Sequence, residues 1–120
     1  MDFHHLIFDV TDGVATMTFD RPAEANAMNL PLMEDLMHAS IRCDEDPGIR
    51  AAVVTGSGRF FSAGGDLASF GTAGDGLAAL LKEMTVYFHA AVSRFSRMNA
   101  PLVAAVNGFA AGAGMSLVAA

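Results

Sequence analysis

Two short runs carry the residue types best suited to chemistry: Ser62-Ala63-Gly64-Gly65-Asp66 and Gly112-Ala113-Gly114. Each follows a short apolar run and opens a stretch with helical character. A helix start presents unpaired backbone N–H groups at the positive end of the helix dipole. Glycine lets a ligand approach that backbone closely. Two such starts converging on one point would make an oxyanion hole for a carbonyl oxygen that gains negative charge as it reacts. The same glycines would also serve simple turns and close helix packing, and the residues alone favour that plainer role.

Other reactive side chains are weaker candidates. Asp66 suits the cap of the helix that follows it better than the part of a catalytic base. Ser116 has no G-x-S-x-G elbow around it and no histidine placed to activate it, so it reads as a small helix-packing residue. His4 and His5 are neighbours on a strand and point to opposite faces, which prevents joint chelation. His38 and His89 stand alone on helices, and no metal site is expected. Cys43 sits late in a helix beside acids, where its thiol is not activated. Most of the eight methionines fall at core spacing, with Met28 and Met115 able to face an acyl chain. No dinucleotide fingerprint or P-loop follows any strand.

The elements that must position these runs follow from periodicity and turn chemistry. His4–Val10 and Val14–Phe19 read as strands joined at Thr11-Asp12-Gly13, where Asp-Gly is a hairpin signal. Pro22 ends the second strand, and an Ala-rich loop leads to Asn29, a helix cap with Pro31 in the first turn. Leu32, Met33, Leu36, Met37 and Ile41 recur at helical spacing until Asp44-Glu45-Asp46-Pro47-Gly48. Ile49–Thr55 and Leu102–Val106 are short apolar runs of the kind buried on both faces of a parallel sheet. Between them, Gly71–Gly76 reads as a mobile loop, and Leu77 to Phe95 marks a long amphipathic helix. After Asn107-Gly108 a last helix begins, and at Ala120 it has no stop signal. The order is that of an α/β fold in a single domain over residues 1–120.

Composition narrows the partners. Of 120 residues, 52% are hydrophobic and 17% charged, enough for a packed core. No apolar block reaches the roughly 18 residues of a membrane span. Net charge is −6 with seven scattered Lys and Arg, so nucleic acid is a poor partner. A single cysteine excludes an internal disulfide, and Met1 to His5 lacks the start of a secretory signal, which points to a cytoplasmic location.

Four blocks, in order, resemble one family. They are Asp20-Arg21-Pro22 with Asn26-Ala27-Met28-Asn29, Asp46-Pro47-Gly48-Ile49-Arg50-Ala51, Arg59 to Leu67, and Pro101 to Gly114. Together they resemble the enoyl-CoA hydratase/isomerase (crotonase) family over nearly the whole chain. The resemblance implies a ββα spiral, here truncated before a C-terminal helical region. It implies that the N–H groups of Gly65 and Ala113 hold an acyl-CoA carbonyl. It places Ala23, Ala25, Ala27, Ala63, Gly64, Asp66 and Leu67 along the substrate path. Coenzyme A would arrive as part of the substrate, with no separate cofactor, and the full-length form would be a homotrimer or dimer of trimers.

Two positions depart from the family pattern. Hydratases carry a glutamate where this chain has Ser116, and serine cannot replace a carboxylate in proton transfer. The loop after Pro22, often basic in the family, reads Ala23-Glu24-Ala25. The expectation is therefore an enoyl-CoA isomerase or hydratase whose proton-moving carboxylate lies beyond Ala120. A non-catalytic acyl-CoA-binding relative or an inactive fragment is the alternative.

Overall fold

The computed structural model describes residues 3–120; Met1 and Asp2, the start of the segment read as lacking a secretory signal, lie outside it. Strands β1 (Leu6–Thr11) and β2 (Val14–Phe19) form an antiparallel hairpin. Its two turn residues, Asp12 and Gly13, have φ of 53° and 78°. Positive φ at both central positions is the turn whose twist matches paired strands. Arg50 holds the turn from outside: its N–H donates to the Gly13 carbonyl and its Nη2 to the Asp12 carbonyl, both at 2.7 Å. That grip starts β3 (Ala51–Gly56) in register, with Ala51 beside Val14.

Between β2 and β3 runs α1 (Leu30–Glu45). Asn29 caps it as expected, its Oδ1 accepting the Leu32 N–H at 3.0 Å. Leu32, Met33, Leu36, Ala39 and Cys43 form its buried stripe. The main sheet has the order β1-β2-β3-β5, where β5 is Leu102–Ala104 and all pairings after the hairpin are parallel. Helices α1 and α3 (Leu77–Arg97) pack on each other and on one face of this sheet. There Ala15, Met17, Phe19, Ala52 and Val54 meet Met84, Phe88, Ala91 and Phe95. Each large apolar side chain buried in this layer contributes roughly 1.5–3 kcal/mol.

Of the two faces on which these strands call for cover, residues 3–120 supply one. Register puts Ile7, Thr16, Thr18, Val53 and Val103 on the opposite face, where Ile7 is 50% and Val103 55% exposed. Both long helices lie on the same side, so among the described residues nothing closes the other. The strand read as Leu102–Val106 also ends early, at Ala104.

A second, two-stranded parallel sheet pairs β4 (Phe60–Ser62) with β6 (Phe109–Ala110). Each follows a strand of the main sheet and precedes a helix: β3-β4-α2 (Leu67–Ala73), then β5-β6-α4 (Ala113–Ala119). The chain thus repeats a strand–strand–helix unit, the ββα spiral that the resemblance implies. Asn107 ties the two units together. Its Oδ1 accepts the Gly56 N–H at 3.0 Å, and its Nδ2 donates to the Gly58 and Phe60 carbonyls at 3.2 Å.

The stretch Gly71–Gly76 is not a loop. α2 continues through Ala73, a 3-10 turn spans Gly74–Gly76, and α3 begins at Leu77. Three glycines weaken a helix but do not forbid one when the flanking turns are helical. In α4, Leu117 reaches the core. A cavity of about 160 Å³ remains between α3, β5 and α4, lined by Val54, Val92, Phe95, Leu102, Leu117 and Val118 among others. Among the described residues, no helix is long and apolar enough to cross a membrane.

Cys43 is 2% exposed on the core face of α1. Burial pushes its thiol up to about 11; Arg42 pulls it down and Asp46 adds to the rise. Since the thiolate is the reactive form, the folded chain should leave Cys43 essentially unlabelled by iodoacetamide at pH 8. Full labelling should appear only in denaturant, as mass spectrometry would read directly.

Candidate active site

The two Gly-rich loops meet backbone to backbone. Residues 63–66 link β4 to α2, and residues 111–112 link β6 to α4. Gly64 has φ of +101°, and a Cβ built on it would sit 2.9 Å from the Ala111 carbonyl oxygen and 3.3 Å from the Ala113 nitrogen. No side chain fits between the loops at that point. Ser62, fully buried, fastens them: its carbonyl accepts the Ala111 N–H at 3.0 Å. Its hydroxyl donates to the Asn26 carbonyl at 2.9 Å and accepts the Gly64 N–H at 3.2 Å.

Most backbone donors around the contact are paired. In the first loop, the Gly64 N–H goes to Ser62 Oγ, the Asp66 N–H to the Met28 carbonyl and the Ala68 N–H to Asp66 Oδ1. In the second, Ala111 donates to Ser62, Gly114 and Met115 to the Ala111 carbonyl, and Ser116 to the Gly112 carbonyl. The Gly65 and Ala113 N–H groups have no acceptor among the described residues, and neither do those of Leu67, Ser69 and Gly112, of which Leu67 and Gly112 are exposed to solvent. Gly65 and Ala113 are half-buried. A half-buried donor without a partner is costly unless water or a ligand supplies an acceptor.

The loop after β2 is stitched onto the first of these loops. Ala63 donates to the Ala25 carbonyl at 3.0 Å and Met28 to the Gly64 carbonyl at 2.7 Å. Ala25, Ala27, Ala63, Gly64 and Asp66 are thereby brought together. Ala23 lies farther out, in an exposed 3-10 turn over Pro22–Glu24. Leu67 opens α2 with 78% of its surface exposed. The Asp66 carboxylate is engaged by the Ala68 N–H, the Ser69 hydroxyl at 2.8 Å and Arg21 at 3.5 Å, which is the capping role.

Two expectations change. Met28 is fully buried in the core and does not face a ligand, whereas Met115 is largely exposed at the start of α4. Ser116 is exposed and does not pack; its hydroxyl donates to the Gly112 carbonyl of its own helix at 3.1 Å. Sequence reasoning assigned no role to Asn26, which the structure places at the centre of the loop framework. Its Oδ1 accepts the Arg21 N–H, and its Nδ2 donates to the Ser57 and Phe60 carbonyls, all at 2.9 Å. Phe70 was also missed. Its ring lies where a Gly65 side chain would be, 2.8 Å from the position of a Cβ there. A polar residue between two alanines gives no periodic signal, and a helical phenylalanine gives no hint of what it covers.

Comparison with known proteins follows the same residues. The family described as enoyl-CoA hydratase/isomerase matches residues 9–120. The chain is 36% identical over 116 residues to 4-chlorobenzoyl coenzyme A dehalogenase-2 of an Arthrobacter species, covering 95% of this chain and 42% of that one. It is 39% identical over 112 residues to 2,3-dehydroadipyl-CoA hydratase of Escherichia coli, covering 93% and 42%. Among solved structures, an enoyl-CoA hydratase/isomerase from Mycobacterium paratuberculosis superposes with a TM-score of 0.89 at 36% identity, covering 99% and 48%. The chain spans less than half the length of each of these relatives.

The contact at Gly64 is directly testable. Gly64→Ala adds both strain at positive φ and a clash with the backbone of the second loop. It should lower stability by about 1–3 kcal/mol in chemical denaturation, with the main-sheet hairpin still formed by circular dichroism.

Proposed function

The chain belongs to the enoyl-CoA hydratase/isomerase family, and on that premise we propose that its two Gly-rich loops bind and activate the carbonyl of an acyl-CoA thioester. The observation that carries this reading is the pair of unpaired N–H groups, Gly65 and Ala113, on either side of a direct loop-to-loop contact. When a proton leaves the carbon next to a thioester, negative charge moves onto the carbonyl oxygen. Fixed N–H donors at that oxygen stabilise the enolate more than the ground state, and need no reorganisation as the charge develops. Half-burial strengthens the effect by keeping water from competing. The dehalogenase and the dehydroadipyl-CoA hydratase described above are named for coenzyme A derivatives on which different reactions are run, which fits a shared carbonyl site with variable chemistry around it.

The remainder of the ligand would run along the backbone of Ala63 and the loop containing Ala23, Ala25 and Ala27. With Glu24 in that loop and an overall charge of −6, its phosphates would be met by local backbone groups and single cations. Coenzyme A enters as substrate, so no further cofactor is assigned. Proton transfer is assigned to a carboxylate outside residues 1–120, because Ser116 occupies the hydratase glutamate position and its hydroxyl is turned onto its own helix. One carboxylate suffices to move a double bond, so isomerisation is favoured over hydration. The same serine also supports a second reading, a relative that binds acyl-CoA without turning it over. A cytoplasmic trimer or dimer of trimers completes the proposal.

Acetoacetyl-CoA is a suitable probe, because its acidic methylene gives an enolate visible by ultraviolet absorption whatever reaction the enzyme runs. The complete protein should bind it with growth of the enolate band. Ala113 is the first residue of α4, a position where proline is tolerated because the N–H makes no helical bond. Ala113→Pro should keep the fold, lose the band, and lower turnover about 100- to 1,000-fold. Ser116→Ala should change neither. A folded proline variant with a full enolate band would overturn the carbonyl-site reading. Turnover of crotonyl-CoA or a 3-enoyl-CoA would decide between the catalytic and binding-only readings.

A further inference from the structure

Only seven basic residues are present, and an arginine close to the substrate path would ordinarily be read as a phosphate contact. Arg21 is not placed for that. Its side chain is 12% exposed, and that of Asp66 is 11% exposed. Arg21 Nη1 donates to the Ala27 carbonyl at 2.6 Å and stands 3.5 Å from Asp66 Oδ2. The two groups it joins belong to different loops: Ala27 to the loop after β2, Asp66 to the loop after β4.

What lies between those groups is Gly65. Met28, the neighbour of Ala27, accepts the Asp66 N–H at 3.1 Å and donates to the Gly64 carbonyl at 2.7 Å. These two bonds flank Gly65 on either side and leave its own N–H unpaired. On the other flank, the Phe70 ring packs against the Gly65 Cα. The plane of the Gly65 peptide is thus set by segment 27–28, and that segment is tied to Asp66 through Arg21.

We propose that Arg21 and Asp66 form a positioning pair that aims the Gly65 N–H, and that Arg21 is not a ligand of the coenzyme A phosphates. The inference rests on the carbonyl-site reading above. Both acceptors are reached by one nitrogen, Nη1, whose N–H bonds are held in the rigid guanidinium plane; a lysine ammonium at the same place sits on a flexible stem with freely turning donors. Small displacements of a donor that must meet a developing oxyanion are expensive, with ~1 Å worth about a hundredfold in rate. Binding of the coenzyme A portion, made elsewhere, has no reason to change.

The test is a cycle of Arg21→Lys, Asp66→Asn and the double variant in the complete protein, with acetoacetyl-CoA as probe. Asparagine caps a helix about as well as aspartate, so Asp66→Asn removes the charge while keeping the start of α2. Each single variant should reduce the enolate band about 10-fold or more, with the Kd for the thioester within about threefold of the parent. The double variant should be no worse than the worse single one, since the pair acts as a unit. A large rise in Kd for Arg21→Lys, reproduced with free coenzyme A, would make Arg21 a phosphate ligand and overturn the proposal. So would additive losses, or an undiminished band. Ala113→Pro, run in parallel, separates the two readings: if it abolishes the band while the Arg21 and Asp66 variants keep it, the positioning proposal alone fails.

Discussion

Everything at the candidate site depends on two stretches of main chain approaching until no side chain fits between them. Gly64 faces the Ala111 carbonyl, the Gly112 Cα and the Ala113 nitrogen at distances that a Cβ would violate. Such closeness is unusual for segments 48 residues apart in sequence, and it has to be built from behind. The parallel pairing of β4 with β6 aligns the two chains just before they reach the loops. Ser62 then uses its carbonyl, its hydroxyl and its small volume to hold three segments at once. The repeated strand–strand–helix unit brings the same turn of the spiral to the same place twice, so the loops stack.

The main sheet and its helices are the support for this contact. Residues of alternating strands and of α1 and α3 fill one continuous core, and the Phe19 and Phe61 rings, 5.3 Å apart and edge-on, carry that core under β4. Asn26 and Asn107 convert the packing into precise loop placement. Each uses both ends of its amide to satisfy backbone groups from neighbouring turns. Asn26 is buried, and a buried amide with complete hydrogen bonding specifies one arrangement because any other leaves polar groups unpaired; Asn107 acts at the exposed rim.

Much of this was legible from residue types. The Asp-Gly hairpin, the Asn29 cap, the stripe of α1 and the two glycine loops all have local signatures, and the structure bears them out. What was not legible is non-local. Whether a short apolar strand is covered on one face or two depends on which side its helices cross to, and Val53 and Val103 carry no mark of that. The Gly71–Gly76 stretch misleads because glycine lowers helix propensity without abolishing it, and the flanking helices extend through. Asn26 and Arg21 lie inside a recognisable block, yet their partners, Ser57, Phe60 and Asp66, are roughly 30 to 45 positions away. Met28 was misjudged because a methionine beside a loop looks the same in sequence whether its side chain turns inward or out.

The unpaired donors at Gly65 and Ala113 belong to the peptide bond, not to any side chain. A side-chain nucleophile or acid is spelled by only a few codons and can be erased by a single nucleotide change. A main-chain amide is spelled by nearly every codon, so its identity is under almost no genetic constraint; only the shape that presents it is. A scaffold of this kind separates what must persist from what is free to vary. On the proposed reading, side chains beside the donors are free to change without altering the amides themselves. That separation gives one architecture a broad range of reachable chemistries by point mutation.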